Sequence, residues 1–191
     1  MPLSDTAEQD DPVRAWLSLP RRIYLDTSTL QNLYDFGGEI FEGEPFEPDG
    51  RAARVHGLAA EIDALQMIFT INQRAMFEFV VTEASLHEVV NRARPGYTQW
   101  VYDVLGTWLI QTESEERPTP GKTFDDRRFG MISVKDRRLL QEALDWRCDA
   151  FMTMERRLPT AAAFIERQTG LRVMRPTTYW DLLSRFARLY C

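Results

Sequence analysis

Arg22-Ile23-Tyr24-Leu25-Asp26-Thr27-Ser28-Thr29 decides how the rest of this chain is read. The apolar run Ile23-Tyr24-Leu25 ends at an acid, and hydroxyl residues follow at once. Helical spacing then begins, covering Ser28 to Phe36 before Gly37-Gly38 stops it. A strand that ends in an acid and turns straight into a helix suits an open α/β sheet. Ligands there sit in the crevice outside the carboxyl ends of the strands. Asp26 is therefore the first candidate site residue.

Outward from this stretch the alternation continues. Ala52 to Ala75 has the spacing of a long amphipathic helix, with Val55, Leu58, Ala59, Ile62, Leu65 and Ile68 or Phe69 on one face. Phe77 to Val81, aromatic and β-branched, reads as a strand, and Thr82 caps a helix that Pro95-Gly96 breaks. Tyr97 to Leu105 looks helical, after which Trp108-Leu109-Ile110 is either a short strand or more helix. Glu113 to Gly130 is a polar loop. A helix over Val134–Trp146, a strand over Ala150–Met154, a helix over Ala161–Gln168, a strand over Leu171–Met174 and a helix over Thr178–Leu189 complete the chain. Strands alternating with helices predict an α/β fold, a three-layer α/β/α arrangement with a mostly parallel central sheet.

Residues 1–19 are polar and acidic and are expected to form a flexible lead-in, leaving 20–191 as a single domain. Glu39 to Gly50, with Glu42, Glu44, Glu47, Asp49, Pro45 and Pro48, reads as an acidic loop. A formal net charge of −6 argues against nucleic-acid binding by bulk positive charge, though a local basic groove remains compatible with it. Cys148 and Cys191 give neither a zinc spacing nor a disulfide framework, which points to a reducing compartment. No apolar stretch approaches the roughly 20 residues of a membrane span. The start has no basic and apolar leader, so the expected location is cytoplasmic.

Glu88, Asp136 and Glu155 sit at transitions like that of Asp26, in Ser85-Leu86-His87-Glu88, Ser133-Val134-Lys135-Asp136 and Thr153-Met154-Glu155. Brought together, four carboxylates make a nest of hard oxygens that suits Mg²⁺ or Mn²⁺. Two such ions about 3.5–4 Å apart activate a water and steady both oxygens of an in-line phosphodiester displacement. Without a cation the same carboxylates repel one another and some stay protonated. Each acid also has a plainer reading. Asp26 fits a helix cap, Glu88 an i,i+4 pair with Arg92, Asp136 a capping box behind Ser133, and Glu155 a surface acid beside Arg156 or Arg157. Arg92, Lys135, Arg137, Arg138, Arg156 and Arg157 flank the acids and are candidates for holding phosphates, or serve solubility. Tyr97, Trp100, Val101, Val104 and Leu105 form an apolar stripe suited to core or dimer packing, and His56 and His87 lack partner spacing.

Taken in order, these motifs resemble the PIN-domain nucleases. The resemblance rests on Ile23-Tyr24-Leu25-Asp26-Thr27-Ser28, Ser85-Leu86-His87-Glu88-Val89-Val90, Asp136-Arg137-Arg138-Leu139-Leu140 and Asp149-Ala150-Phe151-Met152-Thr153-Met154-Glu155. Val173-Met174-Arg175-Pro176-Thr177-Thr178-Tyr179-Trp180 looks like the family's last strand, proline and helix, so the likeness spans roughly residues 20–190. It implies a PIN-like fold and a metal-dependent ribonuclease, often the toxin of a toxin–antitoxin pair. On the matching positions it makes Asp26, Glu88, Asp136 and Glu155 catalytic metal ligands for Mg²⁺ or Mn²⁺, with Thr27, Ser28 and Thr153 orienting them. The implied partners are an RNA substrate and an antitoxin, without a membrane, and a homodimer is left open. Glu155 stands where the family has Asp, and the acidic loop from Glu39 is longer than is common. Those departures support an alternative, a catalytically weak or inactive PIN-like module that binds RNA or a protein. A phosphoaspartate phosphatase would need an acid where Ser28 stands, and a dinucleotide binder would need glycines where Thr27-Ser28-Thr29 stands.

Overall fold

A computed structural model describes residues 11–47, 54–75, 77–82, 85, 96–97, 99–100, 103 and 129–189. Within them the strands are β1 (Arg22–Leu25), β2 (Glu78–Val80), β3 (Ala150–Met152) and β4 (Arg172–Met174). They form one sheet in the order β2-β1-β3-β4, and every pairing is parallel. Ile23 lies opposite both Phe79 and Ala150, and Phe151 opposite Val173. The fold is α/β, as the alternation of elements predicts.

The helices are α1 (Pro12–Leu17), α2 (Thr27–Asp35), α3 (Leu58–Ala75), α4 (Val134–Asp145), α5 (Ala162–Thr169) and α6 (Pro176–Leu183). Strand alternation divides the apolar interior in two. Ile23, Leu25, Ala150 and Met152 join a cluster with Leu30 and Leu33 of α2, Ile62, Leu65 and Ile68 of α3, and Tyr179 and Leu183 of α6. Tyr24, Val80, Phe151 and Val173 point the other way, into a cluster with Leu139, Leu140 and Ala143 of α4 and Ile165 of α5. Tyr24 stacks on Phe151 at 5.3 Å. Its hydroxyl meets Thr82 Oγ1 at 2.8 Å and Ser85 Oγ at 2.7 Å, so the one polar atom of this buried ring is satisfied.

Several local expectations need correction. The lead-in holds structure from Asp11 onward, because Asp11 Oδ1 accepts the Val13 N–H at 2.9 Å and Pro12 starts α1. Trp16 of that helix meets Phe186 edge-on at 5.2 Å, a partner 170 residues away that no local pattern reveals. The acidic loop contains a single π-type turn, Gly38–Glu42, pinned by buried Ile40 and by Phe41 against Phe69. α3 starts at Leu58 and not at Ala52, and Val55 is exposed and not on the apolar face. The last helix starts earlier, at Pro176, where a proline's missing N–H costs nothing, and continues as a 3₁₀ segment over Ser184–Leu189. Of the aromatic stripe, buried Tyr97 and half-buried Trp100 pack on Tyr34 at 4.9 and 5.5 Å, which is core packing. Val101, Val104, Leu105, His87 and the predicted 108–110 segment lie outside the described residues.

Candidate functional site

β1 sits between β2 and β3, so the chain leaves β1 toward one side of the sheet and β3 toward the other. The crevice where that direction reverses, between the carboxyl ends of β1 and β3, is the topological switch point at which open α/β sheets hold ligands. Asp26 follows β1 directly and Thr153 follows β3 directly. Both therefore stand at that crevice.

The Asp26 carboxylate is 5% exposed and caps α2. Its Oδ1 accepts the Thr29 N–H at 2.7 Å and the Ser28 hydroxyl at 2.8 Å. Its Oδ2 accepts the Thr153 hydroxyl at 2.5 Å, with the Ser28 hydroxyl at 3.1 Å. The two hydroxyls are themselves held from β3. The Met154 N–H donates to Ser28 Oγ at 3.0 Å, and the Glu155 N–H donates to Thr153 Oγ1 at 3.0 Å. Met152 O accepts both the Asp26 N–H at 3.1 Å and the Thr29 hydroxyl at 3.0 Å. The ends of the two central strands are thus tied through side chains where the backbone ladder stops.

Burial raises the pKa of Asp26, and the bonds from Thr153, Thr29 and Ser28 pull it back only in part. Among the described residues no Lys or Arg side chain bonds to it. Burial thus favours the protonated acid over the anion at this position.

Asp136 lies in the first turn of α4, and the Ser133 hydroxyl donates to its Oδ2 at 2.7 Å while Ser133 Oγ accepts its N–H at 3.1 Å. The Ser133 cap is therefore realised. Asp136 accepts from the Ser133 hydroxyl and not from its backbone N–H, so the capping box is half formed and Oδ1 takes no part in it. α4 leads back to the start of β3, where the Asp149 N–H bonds Arg22 O at the start of β1. Its Leu139, Leu140 and Ala143 share one buried cluster with Tyr24 of β1 and Phe151 of β3. Glu155 is exposed, two residues past Thr153. Thr27 is buried, Ser28 half-buried and Thr153 buried. Glu88 and Arg92 fall outside the described residues. Among the described residues no three acids, His or Cys are gathered closely enough to share a metal ion.

Lys135, Arg138, Arg156 and Arg157 are exposed and Arg137 is half-buried. Arg156 donates from Nη2 to His56 O at 2.5 Å, tying the loop after β3 to the start of α3. Sequence reasoning missed Thr29 as a holder of Asp26, although it stands in the quoted stretch. It also missed Glu61, a second buried acid. Glu61 accepts from Thr177 N at 3.0 Å and Thr177 Oγ1 at 2.8 Å and pairs with Arg175 Nε at 3.1 Å. Its spacing from Leu58, Ile62 and Leu65 put an acid on an apolar face, and that was the available signal. With Arg175 against it, Glu61 serves α6 and not a cation.

Comparison with protein-family models, with curated proteins and with solved structures gives no match. No helix of the described residues is long and apolar enough to cross a membrane.

Proposed function

We propose that this chain is a PIN-like, metal-dependent endoribonuclease with a three-layer α/β/α fold, acting as a toxin beside an antitoxin protein. The observation that carries the reading is Asp26, a buried carboxylate at the switch point with no cationic side chain bonded to it among the described residues. A donor set of Asp26, Asp136, Glu155 and Glu88 would be hard oxygen throughout, which suits Mg²⁺ or Mn²⁺, and it requires a cation to draw together acids that stand apart among the described residues. When bound, such ions make a water acidic enough to attack a phosphodiester and offset the charge on the departing oxygen.

The chain's own residues do the positioning. Ser28 and Thr153 hold the Asp26 carboxylate, and each hydroxyl is oriented in turn by a backbone N–H of the loop after β3. Asp136 keeps Oδ1 for the cation, and Glu155 supplies an outer carboxylate on a longer arm. In this reading the exposed Lys135, Arg138, Arg156 and Arg157 would hold phosphates. The test is cleavage of labelled RNA by the purified chain with Mn²⁺, with EDTA, and with Asp26→Asn. Activity that persists in EDTA or in the variant removes the proposal. A small partner gene next to this one supports the toxin assignment, and its absence points to a housekeeping nuclease.

A second reading is a PIN-like module that binds RNA or a protein with little or no cleavage. The hydrogen bonds that already fill both oxygens of Asp26 favour it. A folded chain that binds RNA and fails to cut with any divalent cation decides for that reading.

A further inference from the structure

The amino edge of the sheet, at the end of the strands away from Asp26, holds a cavity of about 270 Å³. Arg21, just before β1, Asp149, just before β3, and Arg172, which opens β4, bring charge to its lining. Arg172 is already engaged, with Nε against Glu166 at 3.3 Å and Nη1 donating to Ser18 O at 2.8 Å. The other two are not. Arg21 and Asp149 line one cavity with opposite charges, yet they form no ion pair with each other or with any described residue.

Each of them is held by something else. Arg21 Cζ stands 4.7 Å from the centroid of the Trp16 ring, a stacking contact that steadies the guanidinium and leaves its in-plane N–H donors open. Asp149 Oδ2 accepts the backbone N–H groups of Arg21 and Arg22, both at 2.9 Å, and Oδ1 takes no hydrogen bond among the described residues. The linker between them is fixed as well, since the Tyr179 hydroxyl donates to Pro20 O at 2.8 Å. The entropy of ordering long side chains usually cancels most of the gain from an exposed charge contact. Here the indole and the backbone have done that ordering before a ligand arrives.

A fixed cation and a fixed anion held apart on one cavity fit a molecule that carries both signs. A simple anion gains from Arg21 and is repelled by Asp149, and a simple amine meets the reverse. The volume falls just below the roughly 300–1,000 Å³ usual for small-molecule sites, so the occupant is small. We infer that this cavity binds a zwitterion of the free amino-acid class, its carboxylate on Arg21 and its ammonium on Asp149 Oδ1. Leu17, on the same lining and 72% exposed, gives an apolar ligand side chain a surface to cover. The site is separate from the Asp26 crevice and does not depend on the nuclease reading.

The experiment screens the standard free amino acids at millimolar concentration for a rise in the Tm of the full chain, then titrates the best of them by calorimetry. The same titration is run with that compound's deaminated acid, with its decarboxylated amine and with inorganic phosphate. An apolar amino acid should lead the screen and bind about tenfold or more tighter than either half, the worth of one bond to a charged group. Asp149→Asn keeps a carbonyl oxygen for the two backbone N–H groups but sets an amide donor against the ammonium, so it should weaken binding about tenfold or more. Arg21→Gln should do the same, while Arg185→Gln, which removes an equal charge from the exposed surface outside the cavity, should leave binding unchanged. Melting of the unliganded variants checks that they fold. A screen in which no amino acid raises Tm overturns the inference. So does phosphate or the deaminated acid binding as tightly as the amino acid, or Asp149→Asn binding it as tightly as wild type.

Discussion

Replacing Asp26 separates its two jobs, capping α2 and presenting charge at the switch point. In Asp26→Ala the Thr29 N–H loses its acceptor, and a lost side-chain cap costs about 1 kcal/mol. The buried Thr153 hydroxyl loses its acceptor as well, and a stranded buried donor costs about 1–3 kcal/mol. Together these give a loss of about 2–4 kcal/mol by the same accounting. For a chain of this size that is a fall in Tm on the order of 6–12 °C. Asp26→Asn keeps a carbonyl oxygen for the Thr29 N–H and the Ser28 hydroxyl, so the cap survives, while the Thr153 hydroxyl turns to accept from the new amide and its own proton loses its acceptor. The Asn variant should therefore be more stable than the Ala variant by about 1 kcal/mol, the worth of the cap. Calorimetry with and without Mn²⁺ then reads the second job. At a concentration about 100 times Kd the cation adds about 2.7 kcal/mol to wild type and should add nothing to either variant. An Asn variant that melts as low as the Ala variant refutes the capping account. A Mn²⁺ shift that survives in Asn refutes the assignment of Asp26 as a ligand.

Three further outcomes are expected. Because burial raises the pKa of Asp26, the folded chain keeps a proton where the unfolded chain has lost it. The stability tied to this residue is full below the ordinary carboxylate value of about 4 and is lost as pH rises through the folded value. Urea titrations without metal should show that decline, and Asp26→Asn should remove it. Glu155→Gln should cost less turnover than Asp26→Asn, and Glu155→Asp should preserve or improve it, since the longer arm loses more rotamer freedom on being fixed. Kinetic titration with Mn²⁺ ranks them, and a Gln variant as dead as Asp26→Asn reverses the order. Glu61→Ala should destabilise the chain by about 2–3 kcal/mol, less than the loss of a fully buried partner because Arg175 retains some access to water. A denaturant midpoint like that of wild type argues against Glu61 as the anchor of α6.

Elements whose signals are local could be read from the sequence. β1 is an apolar run closed by an acid, and Ser133 with Asp136 announces the start of α4 within four residues. The parallel sheet follows from alternation alone. Contacts between distant segments could not be read. Trp16 stands in a stretch whose composition reads as a polar lead-in, and its partner Phe186 is 170 positions away. Glu61 stands on the apolar face of α3, but nothing near it in sequence names Arg175 and Thr177 as its partners. Asp26 was legible as a strand-end acid, since its position depends only on its neighbours. How completely its oxygens are occupied depends on Thr153, 127 positions later, and no spacing rule connects them.

The Trp16–Phe186 contact also bears on the order in which the molecule assembles. As the chain is synthesised, α1 emerges long before its aromatic partner. Pro20 waits similarly for the Tyr179 hydroxyl, and the Ser18 carbonyl for Arg172. A six-residue helix is too short to persist alone in water, so α1 should flicker until the 3₁₀ segment after α6 arrives. Contacts of such long sequence separation pay their loop-closure cost before they return anything, which makes this corner late to form. Hydrogen exchange begun during refolding should find the amides of α1 among the last to gain protection, and cutting the chain after Leu183 should leave them open throughout.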